Sequence, residues 1–245
     1  MGQDYNSTND KTPDFHGVMD GAPAYQVESF LQLVPEPKRT AEEGELEEYP
    51  QIITSGDKKL EDYLALPEGS RVEMIDGVFY DMAAPTLIHQ IISDEIRVRL
   101  GDFIKKNHGN CIPFTAPADI LLFNDDRTVV QPDVFVVCDR GKLTKESVQG
   151  APDMIVEVIS PGSRKMDAYL KLEKYRQSGV REYWIVFPEE KKVLVYLFER
   201  MKNAANTKPT EYTFADKVPV GIWDGRCTVN FAEIYEVMRF LYEKG

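Results

Sequence analysis

From Leu60 onward, apolar positions fall into two periods. Over residues 86–107, Ile88, Ile91, Ile92, Ile96, Leu100 and Phe103 lie on one stripe, which predicts a long amphipathic helix stopped by Asn107 and Gly109. A second helical pattern covers residues 165–178 and ends at Gly179, and a third covers 231–243. Strand-like runs occur at 119–123, 130–137, 154–159, 183–187 and 193–198. Asp76-Gly77 stands between two apolar stretches of the segment Arg71–Tyr80 and predicts a two-residue hairpin turn. Residues 57–66 read as a short helix. The mixture predicts an α/β (mixed α+β) domain over 57–245, with a mixed central β-sheet flanked by helices.

Upstream of this domain the pattern weakens. Residues 1–22 are polar and read as a flexible tail. Residues 24–34 carry Val27, Phe30, Leu31 and Val34 at helical spacing, which predicts a short docking helix ended by Pro35 and Pro37. An acidic run follows at 36–48, so residues 1–56 are expected to form an acidic N-terminal extension.

Charge sharpens this division. The 245 residues carry a formal net charge of −12, a balance that by itself argues against a nucleic-acid partner. Residues 1–62 hold 14 acidic and 5 basic residues, against 27 and 24 over 63–245. The body is therefore close to neutral and can carry a local basic surface. With 42% hydrophobic residues, full-length disorder is excluded. No run reaches the roughly 18 consecutive apolar residues of a membrane span, and the N-terminus lacks the basic and apolar regions of a signal peptide. A soluble cytoplasmic protein is the expectation. Cys111, Cys138 and Cys227 are far apart with no C-x-x-C pair, and are expected to be buried free thiols in a reducing compartment.

Two apolar strands each contain one carboxylate. Asp133 lies within Val129–Val137 and Glu157 within Met154–Ile159. Alternation places Asp133 on the face of Phe135 and Val137, and Glu157 on the face of Ile155 and Ile159. An ionised carboxylate there is costly unless a donor or cation meets it. If the strands are neighbours, the two acids converge and offer hard oxygen ligands suited to Mg²⁺ or Mn²⁺. Capping a turn or pairing with an arginine is the alternative for either acid alone. Downstream, Asp167, Lys171 and Tyr175 are spaced four apart and share one helix face. Lys171 can aim its ammonium at the acid pair, where it would orient a water and stabilise charge on a phosphate. An Asp167–Lys171 surface pair is the plainer alternative.

The ordered set Arg71-Val-Glu-x-Ile-Asp-Gly77, Met82-Ala-Ala-Pro85 with His89, Pro132-Asp133, Ala151-Pro-Asp-x-Ile-Val-Glu-Val-Ile-Ser-Pro161, Asp167-x3-Lys171-x3-Tyr175 and Gly179-Val-Arg-Glu-Tyr-Trp-Ile-Val186 resembles the Uma-type family of restriction endonucleases within the PD-(D/E)XK nuclease superfamily. The resemblance covers roughly residues 58–200 and implies a restriction-endonuclease-like core of about four strands. It implies that Asp133 and Glu157, with the backbone carbonyl of Val158, hold Mg²⁺ or Mn²⁺. Ile159 stands where the motif's lysine usually follows the second acid; the resemblance supplies that lysine from the next helix, as Lys171. Lys174 is a second candidate but lies off the Asp167–Lys171–Tyr175 face. Glu73 matches the family's upstream glutamate, which completes the metal shell directly or through water; pairing with a base such as Arg71 is its alternative. His89 matches a histidine near the start of the long helix and is implied to contact phosphate or assist proton transfer. Tyr175 and Trp184 are expected in the core, with Tyr175 near the site. Arg164, Lys165 and Arg181 are candidate phosphate contacts. The family's Asp-Pro after the Tyr-Trp strand is Phe187-Pro188 here.

The function implied is a metal-dependent endonuclease cutting phosphodiester bonds of nucleic acid, DNA favoured, with room for a homodimer. The alternative from another class is a non-catalytic nucleic-acid- or protein-binding module that keeps the nuclease fold.

Overall fold

The structure, a computed structural model, describes residues 56–123, 125–159, 165–198 and 208–243, with the backbone alone over 165–169. The expected docking helix at 24–34 and the rest of the extension up to residue 55 lie outside the described residues. In chain order the elements are α1 (Leu60–Leu64), β1 (Val72–Ile75), β2 (Val78–Asp81), α2 (Leu87–Lys106), β3 (Ile112–Thr115), β4 (Asp119–Leu121), β5 (Val129–Val130), β6 (Val134–Val137), β7 (Ser147–Gln149), β8 (Met154–Val158), α3 (Lys165–Ser178), β9 (Glu182–Phe187), β10 (Lys192–Leu197), β11 (Thr210–Thr213), β12 (Lys217–Pro219), β13 (Thr228–Asn230) and α4 (Phe231–Tyr242).

The strands form a six-stranded sheet in the order β11-β10-β9-β8-β6-β3, a five-stranded sheet in the order β2-β1-β5-β4-β7, and the pair β12-β13. In the larger sheet β8 and β9 run parallel, linked through α3, while the other neighbours run antiparallel. The run expected as one strand at 130–137 is two strands in different sheets. Its break is Gln131-Pro132-Asp133: proline has no N–H to give a ladder, and the chain steps from one sheet to the other there. Sequence periodicity also missed β3, β7, β11, β12 and β13, which are short.

Alternation along the central strands divides the core. Val134, Val136, Met154, Val156, Trp184 and Val186 face Ile92, Ile96 and Leu100 of α2 and Phe231, Ile234 and Met238 of α4. Phe135, Val137, Ile155, Tyr183 and Ile185 face Leu172 and Tyr175 of α3, together with Ile75, Ile120 and Val130 of the smaller sheet. The second face carries the site, because Asp133 and Glu157 share its parity.

The hairpin that presents Glu73 is built as its turn residues predict. Asp76 and Gly77 both adopt positive φ (51° and 76°), the requirement of a type I′ turn, and Ile75 pairs with Val78. The tip is held from outside by Gly56, whose N–H donates to the Asp76 carbonyl at 3.0 Å, and by Arg127, which donates to the same carbonyl at 2.9 Å. A Cβ on Gly56 would lie 2.0 Å from the Gly77 oxygen, so only glycine permits this approach.

The expectation for the cysteines is also overturned. Cys111 and Cys138 form a disulfide, and Cys227 alone is a buried free thiol. Continuing the β3–β6 register one step beyond Ile112↔Val137 puts the two cysteines directly opposite each other. A separation of 27 residues in sequence concealed a cross-strand neighbour.

Candidate active site

Asp133 immediately precedes β6, and Glu157 is the fourth residue of β8. These strands pair antiparallel with Val134 opposite Val156, so continuing the register sets Asp133 opposite Glu157. Cross-strand neighbours on one face have Cβ atoms about 5 Å apart. The Asp133 carboxylate is held through one oxygen: Oδ2 accepts from the Val158 main-chain N–H at 2.7 Å and lies 3.0 Å from His89 Nε2. His89 comes from the first turn of α2, which Thr86 caps by accepting from the His89 N–H. The long helix thus delivers its imidazole from the opposite face of the sheet to the sheet's end.

Lys171 enters from α3. Its Nζ lies 2.7 Å from Glu73 Oε2 and 3.1 Å from Glu157 Oε1. One turn further along, Tyr175 donates its hydroxyl to the same Glu157 oxygen at 2.7 Å. The i, i+4 spacing therefore brings both side chains to one carboxylate. The Asp167 side chain lies outside what is described. Glu73 engages through both oxygens, since Oε1 accepts from the Gln131 N–H at 2.7 Å. Lys174, the rival amine, instead grips Asp76 in the hairpin turn at 2.7 Å. Arg181 is ion-paired with Asp153 at 3.2 Å, at the end of β8 away from Glu157. Arg164 and the Lys165 side chain are outside the described residues.

Sequence reasoning missed Gln131. Its side chain is fixed by Asp119 Oδ1 at 2.8 Å and by Tyr63 OH at 3.1 Å, while its main chain orients Glu73. A residue that acts through its backbone N–H leaves no mark of residue type, so only its place two before Asp133 could have pointed to it.

The electrostatics follow from three carboxylates in little space. Burial pushes the Glu157 carboxyl up to about 7; the Lys171 charge opposes this, and the charges of Asp133 and Glu73 add to it. Burial alone would lower the Lys171 pKa, but Glu157 and Glu73 outweigh it and hold the ammonium well above its ordinary range. Lys171 is thereby kept protonated. Burial likewise works against His89, yet its hydrogen bond to Asp133 and the neighbouring acid charges raise the imidazole above its ordinary value.

Among the described residues no group of three or more His, Cys, Asp or Glu side chains forms a metal cage. The fit to a divalent ion is of another kind. Asp133 and Glu157 are paired hard-oxygen donors, and the hydrogen bonds described at them use Oδ2 and Oε1, leaving Oδ1 and Oε2. A strand residue directs its N–H and C=O to the same side, so the Val158 carbonyl lies on the β6 side with Asp133. Two carboxylates and a carbonyl, with water completing the shell, suit Mg²⁺, which retains several waters.

A mixed sheet flanked by helices, with an acid pair at adjacent strand ends and a lysine brought in from the following helix, defines a restriction-endonuclease-like fold. The chain belongs to the Uma2 family, described as "Putative restriction endonuclease", which matches residues 60–226. Among solved structures it is similar to a protein of Anabaena variabilis described as "a putative nuclease belonging to DUF820". That likeness has 19% sequence identity and a TM-score of 0.60, covering 74% of this chain and 98% of the other. No curated protein matches the chain. No described helix is long and apolar enough to cross a membrane.

Proposed function

We propose that this protein is a divalent-metal-dependent endonuclease that hydrolyses phosphodiester bonds, with DNA as the favoured substrate. The observation that carries the reading is the approach of the Lys171 ammonium to Glu157 beside the Asp133–Glu157 cross-strand pair. Asp133, Glu157 and the Val158 carbonyl would hold the ion. When bound, Mg²⁺ or Mn²⁺ lowers the pKa of a coordinated water and offsets charge developing on the phosphate. Lys171, kept protonated by its two glutamates, serves as a fixed cation and donor to the attacking water or the phosphate oxygens rather than as a base. Glu73, with both oxygens engaged, positions Lys171. His89 and the Val158 N–H orient the Asp133 carboxylate. Tyr175 holds Glu157 from the buried side.

The test is cleavage of plasmid and of DNA and RNA oligonucleotides by purified protein with Mg²⁺, Mn²⁺ or EDTA. The expected result is metal-dependent cutting that Asp133→Ala removes. Cutting that persists in EDTA or in Asp133→Ala overturns the proposal.

Metal affinity should depend on pH in a defined direction. Because the Glu157 carboxyl is raised to about 7, it holds a proton below that pH, and the proton must leave before a cation binds. Calorimetric titration with Mg²⁺ is expected to show affinity rising by up to about tenfold per pH unit from pH 5.5 to 7, then levelling. An affinity flat across that interval would remove Glu157 from the metal shell.

A further inference from the structure

Arg71 and Glu73 lie two residues apart on one strand, and alternation turns both side chains to the same side. The ladder extends to Arg71, whose carbonyl accepts from the Met82 N–H at 2.8 Å, so this parity holds up to the strand's beginning. Glu73 lies buried against Lys171; Arg71, one step outward, is exposed. The pairing of Glu73 with Arg71 considered from the sequence does not form, because Lys171 and the Gln131 N–H occupy both Glu73 oxygens. What remains for Arg71 is a single long contact, from Nη2 to the Ala83 carbonyl at 3.3 Å.

Its neighbours in charge are differently placed. Lys171 is neutralised by two glutamates and Lys174 by Asp76. Among the described residues Arg71 has no carboxylate within ion-pair distance. Its contact to Ala83 sets it beside the segment that leads into α2, whose first turn carries His89. Three carboxylates meet there, and they repel a polyanion unless a cation stands at the approach. The guanidinium fork, always charged and bidentate, suits a phosphate better than a lone main-chain carbonyl does.

We infer that Arg71 is a phosphate-binding residue at the mouth of the site, gripping a backbone phosphate of the nucleic acid beside the one that is cleaved. This rests on the nuclease reading and adds the contact that brings the substrate to the acid cluster. The side chain is exposed, so its removal should leave the fold intact. Lys105, exposed near the far end of α2 and about 24 Å along the helix from His89, is the control position.

The experiment is fluorescence anisotropy of a labelled 20-base-pair DNA duplex, with 1 mM Ca²⁺ in place of Mg²⁺, over 50–300 mM KCl. Wild type, Arg71→Ala, Arg71→Lys and Lys105→Ala are compared. Losing one phosphate contact should weaken Arg71→Ala binding about tenfold at 50 mM, shrinking to about twofold at 300 mM, because fewer counterions are released. Arg71→Lys should recover much of the loss, and Lys105→Ala should match wild type. Wild-type binding with an unchanged Arg71→Ala curve, or an equal loss in Lys105→Ala, overturns the inference alone. Failure of wild type to bind the duplex at 50 mM KCl overturns the DNA-nuclease reading and this inference with it.

Discussion

Replacing Lys171 with methionine is expected to remove cleavage and to destabilise the fold together. The ammonium is the one described cation in contact with both Glu73 and Glu157, and all three groups are buried. Breaking a buried ion pair from one side typically costs about 3–5 kcal/mol, because the remaining charges are uncompensated. Proton uptake by the stranded carboxyls limits that loss. The Glu157 carboxyl, already raised by burial, would then stand further above its unfolded value, so the variant's deficit is full at high pH and shrinks as pH falls. Loss of a fixed cation facing the developing phosphate charge should lower turnover by about 10²–10³-fold. Thermal denaturation at pH 5.5 and pH 8, alongside cleavage rates, reads both effects. Turnover within threefold of wild type would remove Lys171 from the reaction.

Asp133→Asn should separate the two effects. The asparagine oxygen can still accept from the Val158 N–H and from His89 Nε2, so the local hydrogen bonds have a substitute. One of three crowded negative charges disappears, which relieves repulsion felt at Glu157. The melting temperature is expected to hold or rise. Cleavage should fall by about 10³-fold, equivalent to about 4 kcal/mol of transition-state stabilisation lost with a metal ligand. A stable variant that still cuts at the wild-type rate would show that the metal is held elsewhere. This pairing of lost activity with retained stability is what strain at a functional site predicts.

Much of the site could be read along the chain because its parts lie at fixed local spacings. The Lys171–Tyr175 pair needed only the helical period, and both side chains meet Glu157. The faces of Asp133 and Glu157 needed only strand alternation, and the two sides of the larger sheet follow it. The turn at Asp76-Gly77 needed only the preference of its residues for positive φ. Lys171 and Lys174 differ by three positions, yet one reaches the acids and the other the hairpin turn. Helical phase distinguishes them, but Glu73 and Asp76, which they grip on β1 and at its turn, lie almost one hundred residues upstream.

What the sequence by itself determined is local: the long helix α2, the hairpin, the helix that carries Lys171, the parity of both strand acids, and membership of a family through an ordered set of motifs. What tertiary structure decided is which distant pieces are neighbours. The split of one apolar run into β5 and β6, the cross-strand cysteines, the Gln131 N–H on Glu73 and the release of Arg71 all depend on strand order and register. Periodicity reports the face a residue occupies. It carries no information on which strand lies alongside, because pairing is settled by burial and closure over the whole domain.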